Sequence, residues 1–264
     1  MKDDIKYISS FVAFFDILGF SSLIQESEDL VVAIDTISRL SDSLASARAK
    51  IESRWSWEKD KLDVSMFSDC VCISIPARIE NIDAFFQILA LVQSNFVRQK
   101  LCIRGGVAIG KHFANDHLIF SEGLIKAYTI ESKVAEFPRI VVPHEFWSFV
   151  VSNGYDEDII WFKDMYIWSD PVDGLMIVDY LNFMPYDRHS EPNHNGRDLK
   201  NHKSFIEESL NTFASDTSLL SKYQWMAEYH NSWCKEQYPD HPELLLKLRA
   251  SNKKTLKQYL EHQE

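Results

Sequence analysis

The stretch FFDILGFS (Phe14–Ser21) places one carboxylate inside an apolar run and follows it at once with a glycine. Burying Asp16 as a bare ion among Phe, Ile and Leu would be costly, so a compensating partner is expected. A second carboxylate, Asp69, lies inside the strand-like segment Val64–Ile73. Two isolated strand carboxylates of this kind suggest a shared divalent-metal site, which favours phosphoryl chemistry.

Each aspartate also has an ordinary structural interpretation. Asp16 would then cap the turn that follows it, and Asp69 would be a common hairpin-turn aspartate. The metal interpretation is preferred because two matching sites occur in one chain.

The bulk composition indicates a globular chain of 264 residues, with one large domain or a core domain and an appendage. Hydrophobic residues make up 45% of the sequence, which is enough to supply a packed core. The formal net charge of −11 makes a nucleic acid polymer an unsuitable partner. A small polyphosphate is still a suitable ligand if metals supply the positive charge.

The N-terminal residues and the cysteines predict a cytoplasmic protein. Residues Met1–Lys6 lack the apolar core of a signal peptide, and no stretch is long and apolar enough to span a bilayer. Three of the four cysteines lie in apolar strand-like segments, and none has zinc-site spacing. A reducing compartment is therefore expected.

Apolar periodicity divides most of the chain into the strands and helices of an α+β fold. The predicted order is strand, helix, two strands, helix, two strands, helix and strand, within residues 11–20, 22–51, 61–75, 81–98, 101–110, 118–120, 123–137 and 139–142. This interleaved order suggests helices packed on one face of a mainly antiparallel sheet.

A short helix after Pro143 and strands at 159–162 and 175–181 complete the predicted sheet domain, which we place at residues 1–183. The turn residues between the two strands support their separation.

Residues 184–264 are predicted to form a loop and a C-terminal helical extension of the sheet domain. Residues 185–203 are polar and rich in Pro, His and Asn, whereas the pattern from Ser204 onward is helical. A solvated loop is preferred to a metal cluster because no tight ligand spacing occurs among His189, His194 and His202.

Three motifs together resemble the catalytic domain of the class III nucleotide cyclases. That family has a strand of the type F-x-D-I-x-G-F-[ST], matched by Phe14–Ser21, and a second metal aspartate at a hairpin, matched by Asp69. Its strand of the type R-x-G-x-x-x-G is matched by Arg104–Gly110. The resemblance covers residues 11–142 and implies a ferredoxin-like cyclase sheet with helices packed on it.

The resemblance also implies a cofactor, a substrate and site residues. Two divalent ions, Mn²⁺ or Mg²⁺, would be held by Asp16 and Asp69 with the carbonyl of Ile17, and would activate the ribose 3′-hydroxyl of a nucleoside triphosphate. Arg104 would contact phosphate or hold a structural ion pair. The triphosphate would lie against the helix-opening turn formed by Leu18, Gly19 and Phe20.

The chain departs from the family pattern at four positions. The family's ribose-orienting Asn is replaced by Ile125, and its transition-state Arg by Thr129. The purine-reading Lys falls on Ser65, which we therefore predict to contact substrate, and its partner Asp falls on Leu118. These replacements disfavour an ordinary adenylate or guanylate cyclase.

The variant helix Ala127–Glu131, with Pro138–Val141 after it, looks like that of the bacterial Pycsar cyclases. Those antiphage enzymes make cyclic UMP or cyclic CMP, and the product activates a separate effector protein. The resemblance implies a homodimer with shared active sites and a uridylate cyclase, with CTP as the other candidate substrate. Two alternatives stay open: a purine cyclase with an altered base pocket, and a non-catalytic nucleotide-binding module.

Tyr128 and Glu131 lie three residues apart on this helix and so share a face. The preferred interpretation is structural: Tyr128 packs in the core or a dimer interface, and Glu131 holds an ion pair.

Overall fold

The computed structural model describes residues 6–20, 62–115, 117–154, 156–184 and 197–248, with residues 24, 31, 34–35, 37–39, 41–42 and 45. Positions 185–196 of the predicted loop lie outside these ranges. Every described residue between 24 and 45 is helical, which agrees with the helix predicted there.

The chain divides into two compact units. The first comprises residues 1–168 and 175–180, and the second comprises residues 169–174 and 181–264. No helix within the described ranges is long and apolar enough to cross a membrane.

The strands of the described chain form one eight-stranded sheet in a mixed α+β fold, as predicted. Their order is β2-β3-β1-β4-β6-β8-β7, and β5 also pairs with β4. The pairings of β1 with β3 and β4 are antiparallel, whereas β4 and β6 pair in parallel. The strands are β1 (Ile8–Ile17), β2 (Asp63–Phe67), β3 (Cys70–Pro76), β4 (Ile103–Ala114), β5 (Ile119–Ser121), β6 (Ile140–Val141), β7 (Ile167–Ser169) and β8 (Met176–Val178).

The described chain contains six helices for which both end residues are given by the structure. They are α1 (Ile82–Arg98), α2 (Glu122–Lys133), α3 (His144–Asn153), α4 (Asp156–Tyr166), α5 (Arg197–Thr212) and α6 (Thr217–Gln237). Short 3₁₀ turns occupy Ile79–Asn81, Leu181–Phe183 and Pro242–Leu244.

The central strand β1 is buried on both faces, and helices cover both of them. On one face Phe14 packs edge-on against Tyr128 of α2. On the other face Phe11 contacts Phe85 of α1 and Phe146 of α3. The prediction that the helices lie on one face was therefore wrong, and the nearly continuous apolar run of β1 is the pattern of a strand covered on both sides.

Helix α2 lies against the sheet at unusually short range. A Cβ atom built on Gly110 would lie 2.6 Å from the backbone nitrogen of Gly123, and one on Gly106 would lie 2.5 Å from Ile130. Real Cβ atoms do not approach this closely, so these glycines allow the helix backbone to contact β4 directly.

The predicted strand at residues 159–162 was wrong, since these residues lie in α4. Phe162 and Tyr166, four positions apart, are buried, whereas Ile160 and Trp161 are exposed. A short apolar run does not separate helix from strand by periodicity alone, and packing of one face decided the outcome.

The second unit packs α5 against α6. Helix α5 begins at Arg197, so residues 197–203 are not loop as predicted. The buried side chains Leu199, His202 and Ile206 follow helical spacing that begins before Ser204.

Two histidines form a buried pair in this unit. Nδ1 of His202 lies 2.9 Å from Nδ1 of His230, and Nε2 of His230 lies 2.9 Å from the carbonyl oxygen of Leu244. Donation from Nε2 to that carbonyl assigns His202 as the donor to His230. Burial lowers the pKa of His230 to about 4, and burial with repulsion from His230 lowers the pKa of His202.

We expect Gly110→Ala to destabilise the fold by about 1–3 kcal/mol, because the new Cβ would collide with the backbone of Gly123. Urea unfolding measures the change. Lys111→Ala alters the next, exposed position of the same strand and is expected to cost less than about 1 kcal/mol. Equal unfolding midpoints for the two variants would contradict the close approach of α2.

Acid is expected to destabilise the chain through the histidine pair. The unfolded imidazoles take up protons near pH 6.5 and the folded ones only lower, near 4 for His230, so stability falls as the pH drops through this window. The expected slope is about 1.4 kcal/mol per pH unit for each extra proton bound by the unfolded chain.

Urea unfolding at several pH values measures this slope in the wild type and in His230→Gln. The variant should flatten the profile, since its amide still donates to Leu244 but does not titrate. A His230→Gln profile parallel to the wild type would show that the pair does not titrate as proposed.

Candidate active site

Four residues form one row across the sheet. The strand registers place Phe67 opposite Cys70, Cys70 opposite Asp16, and Asp16 opposite Arg104. Opposed residues of antiparallel strands point to the same face, so these four side chains share a face of the sheet. It is the face covered by α2, because Phe14, two residues before Asp16, contacts that helix.

The turn between β2 and β3 brings the second predicted carboxylate to the end of β1. Ser68 has a positive φ of 54°, and the backbone N–H of Ile17 donates to the carbonyl oxygen of Asp69 at 3.0 Å. Asp69 therefore lies beside Ile17, one residue from Asp16.

The thiol of Cys70 lies within the electrostatic reach of both aspartates. Burial raises the pKa of Cys70 to about 11, and the charges of Asp69 and Asp16 add to this increase. The thiol sulfur lies 3.7 Å from Oδ1 of Asp69. The structure thus gathers the two aspartates that the sequence singled out around one end of the β1–β3 pair.

Arg104 joins Asp16 to helix α2. Its Nη2 lies 3.1 Å from Oδ2 of Asp16 and 2.5 Å from Oε1 of Glu131. The Glu131 side chain is only 4% exposed, against 22% for Asp16 and 26% for Arg104. The predicted ion pair of Glu131 is confirmed. The structural ion pair that was one of the two roles predicted for Arg104 is also present.

The charges of this trio act on one another. Burial lowers the pKa of Arg104, but the carboxylates of Asp16 and Glu131 outweigh burial and leave the pKa above its ordinary value. Burial and repulsion from Asp16 raise the pKa of Glu131, and Arg104 opposes both effects. A bridging guanidinium that is fully ionised keeps two carboxylates at close range.

Sequence reasoning found Glu131 but did not identify its partner. The buried positions of α2 are Gly123, Ala127 and Glu131, each four residues from the next. This spacing marks the face that packs on the sheet, and an acidic residue on that face requires a cation. The sequence carries that signal, but only the register of β1 with β4 shows that Arg104 is the cation.

One part of the predicted phosphate cradle is already occupied. The backbone N–H of Leu18 donates to the carbonyl oxygen of Cys102 at 2.9 Å, so it is not available to a ligand. Gly19 has a positive φ of 77°, and a Cβ there would meet no atom of the described residues within 4 Å. Phe20 begins the helical segment. The turn is therefore open at Gly19, where a ligand can approach the backbone.

The two positions predicted to replace a purine-reading pair, Ser65 and Leu118, belong to different elements. Ser65 belongs to the row of Cys72 and Phe14, on the site face, and its hydroxyl donates to Oδ2 of Asp63 at 3.1 Å. Leu118 lies in the turn between β4 and β5 and is exposed.

The two replaced helix positions lie on the exposed side of α2. Both Ile125 and Thr129 are exposed, and the Thr129 hydroxyl donates to the Ile125 carbonyl at 2.8 Å. The Thr129 hydroxyl is therefore hydrogen-bonded within its own helix, and this position places no charge in the site. Tyr128, between them, packs edge-on against Phe14 with ring centroids 5.6 Å apart.

The donor set fits a hard divalent cation. Oδ1 of Asp16 is buried and has no hydrogen-bond partner among the described residues, so this carboxylate oxygen can accept either a further hydrogen bond or a cation. Carboxylate and carbonyl oxygens are the ligands that Mg²⁺ and Mn²⁺ prefer. Over the described ranges, no three His, Cys, Asp or Glu side chains converge in a metal-binding geometry.

Comparison with known proteins gives structural neighbours only. No protein-family model matches the chain, and no curated protein matches it. The guanylyl cyclase domain of the RhoGC fusion protein from the aquatic fungus Blastocladiella emersonii is 16% identical, with 66% of this chain and 95% of that chain covered and a TM-score of 0.44.

Two further solved structures are similar at lower scores. The guanylate cyclase domain of RhGC from Catenaria anguillulae is 12% identical, with 65% of this chain and 94% of that chain covered and a TM-score of 0.41. A class III adenylyl cyclase-like ATP-binding protein from Pseudomonas aeruginosa is 9% identical, with 54% and 34% covered and a TM-score of 0.36. At this identity the comparison assigns neither a reaction nor a substrate to this chain.

Replacement of Gly19 tests the conformation of the site turn. Gly19→Val is expected to cost about 1–2 kcal/mol of stability, because a β-branched residue at positive φ is strained even in open space. Gly19→Asn should cost less, since Asn tolerates this conformation. Chemical denaturation compares the two variants, and equal costs for Val and Asn would contradict the left-handed turn.

Proposed function

We propose that this chain is a divalent-metal-dependent nucleotide cyclase that converts a nucleoside triphosphate into its 3′,5′-cyclic monophosphate and pyrophosphate. The observation that carries the proposal is the meeting of Asp16 and Asp69 at the end of β1, with one buried Asp16 oxygen that has no hydrogen-bond partner among the described residues. The match of both aspartates and of Arg104 to the three motifs of class III cyclases supports it.

In the proposed reaction the 3′-oxygen of the ribose bonds to the α-phosphorus, the bond from the α-phosphorus to the bridging oxygen breaks, and the proton passes to solvent. Asp16, Asp69 and the carbonyl of Ile17 would hold Mn²⁺ or Mg²⁺, two ions per site. Bound metal would lower the pKa of the 3′-hydroxyl and neutralise the phosphates.

The chain's own residues supply the remaining functions. Arg104 places a permanent cation beside Asp16, where it can stabilise negative charge on a phosphoryl group. The open turn at Gly19 and Phe20 allows a triphosphate to approach backbone N–H groups at a helix start. These groups bind and orient the substrate without forming a covalent bond to it.

The proposed substrate is a pyrimidine nucleoside triphosphate, and UTP is preferred to CTP as the candidate. The family's purine-reading pair is replaced by Ser65 and Leu118, which removes one charge of each sign from the base pocket. A hydroxyl on the site face suits the donors and acceptors of a smaller base. The alternative is a purine cyclase with an altered base pocket.

The proposed assembly is a cytoplasmic homodimer with active sites shared between subunits. Large apolar side chains are exposed on and beside the site face, including Phe67, Ile125 and Tyr128. Isolated apolar residues are common on surfaces, but a group around one site suits a partner subunit. The likeness of its variant helix to Pycsar enzymes supports an antiphage role, with a cyclic nucleotide as messenger to a separate effector.

The direct test incubates the purified full chain with ATP, GTP, CTP or UTP and Mn²⁺, and identifies products by mass spectrometry. The expected product is one cyclic pyrimidine monophosphate, with cyclic UMP preferred, and chelation should abolish it. Asp16→Asn and Asp69→Asn should each reduce the rate at least about a hundredfold, because each removes charge from the metal ligands.

Glu122→Gln provides a control with the same chemical change, since it replaces a carboxylate by an amide at an exposed position outside the site. Its rate should equal that of the wild type. A cyclic purine as the sole product would overturn the substrate. Nucleotide binding without any product would favour a non-catalytic module, and full activity of both aspartate variants would refute the metal site.

A further inference from the structure

One guanidinium nitrogen contacts two carboxylates that come from different elements. Nη2 of Arg104 lies 3.1 Å from Asp16 on the central strand and 2.5 Å from Glu131 on α2. Asp16 is also the residue that the proposed function assigns to metal binding. The arginine and a divalent cation therefore compete for the same carboxylate.

We propose that Glu131 sets the affinity of the site for a divalent cation in two ways: it holds the guanidinium of Arg104 when the cation takes Asp16, and its own negative charge offsets the charge of Arg104. The inference rests on the proposed metal site at Asp16 and Asp69. It assigns a role to a residue that touches neither the metal nor the substrate.

The charge balance explains why Glu131 is needed. Asp16, Asp69 and Glu131 carry three negative charges and Arg104 one positive charge, which leaves a net charge of −2 around the site. Loss of Glu131 reduces this charge to −1 and leaves Asp16 as the only carboxylate partner of Arg104 among the described residues. Loss of Arg104 raises the charge to −3 and frees Asp16 for the cation.

The fold keeps Glu131 in place. Helix α2 begins at a cap in which the N–H of Leu124 donates to Oγ of Ser121 at 2.9 Å. Farther along, Ile130 packs against Gly106 of β4 at a distance that leaves no space for a Cβ atom. Glu131 follows Ile130 directly, so its carboxylate is fixed relative to the strand that carries Arg104.

A purely structural ion pair would give a different result. If Glu131 and Arg104 only stabilise the packing of α2, removal of either disorders the site and weakens metal binding in both cases. If Glu131 restrains Arg104, the two removals shift metal affinity in opposite directions. The sign of each shift therefore separates the two roles.

The experiment measures Mn²⁺ binding to the full chain without nucleotide, by electron paramagnetic resonance of the free ion. Arg104→Gln is expected to bind Mn²⁺ roughly tenfold more tightly than the wild type, and Glu131→Gln roughly tenfold more weakly. The double variant restores the net charge of the wild type and should bind within about threefold of it.

The double variant also guards against misfolding. Removing one partner of a buried ion pair can unfold a protein, whereas replacing both leaves no lone buried charge. If Glu131→Gln does not fold, the comparison of Arg104→Gln with the double variant measures the effect of Glu131 in the absence of Arg104; Mn²⁺ should bind more tightly to the single variant. Glu122→Gln on the same helix should leave Mn²⁺ affinity unchanged.

Asp16→Asn separates failure of this inference from failure of the proposed function. Suppose that the wild type binds Mn²⁺ and Asp16→Asn does not, while Arg104→Gln and Glu131→Gln shift the Mn²⁺ affinity in the same direction. This result would overturn the role of Glu131 and leave the metal site supported. Mn²⁺ binding that is absent from the wild type, or unchanged in Asp16→Asn, would overturn both.

Discussion

The charge of Asp16 is the constraint on which the site depends. A carboxylate on the central strand of a sheet that is covered on both faces requires a cation nearby. Arg104 contacts one of its oxygens, and the other oxygen is buried without a hydrogen-bond partner among the described residues. In this arrangement the same residue can stabilise the fold and, in the proposed function, bind a metal ion.

The glycines of β4 make that arrangement possible. Because Gly106 and Gly110 lack side chains, α2 lies with its backbone against the sheet, and its small residues face inward. Only a helix at this distance can bring the carboxylate of Glu131 to an arginine that points from β4. The glycine-rich motif therefore acts first through packing, and its effect on the site follows from the position of α2.

Local patterns predicted much of the fold. Runs of apolar residues identified β1, the β2–β3 hairpin and β4, and helical spacing identified α1 and α2. Predictions failed where local patterns are ambiguous. The run at residues 159–162 is too short to separate strand from helix, and the polar composition near His202 concealed the buried stripe of α5. In both cases burial of one helix face outweighed composition.

The sequence by itself determined which residues the proposed chemistry uses: two carboxylates in apolar strands, an arginine at the start of a glycine-rich strand, and replacements at four expected site positions. These are properties of residues that are neighbours in the chain, so the sequence shows them without the fold. Tertiary structure alone decided that Arg104 bridges Asp16 and Glu131, and that Leu18 has already donated its N–H. Those contacts depend on strand register and helix distance, which join residues far apart in the chain and are not encoded in any single local pattern.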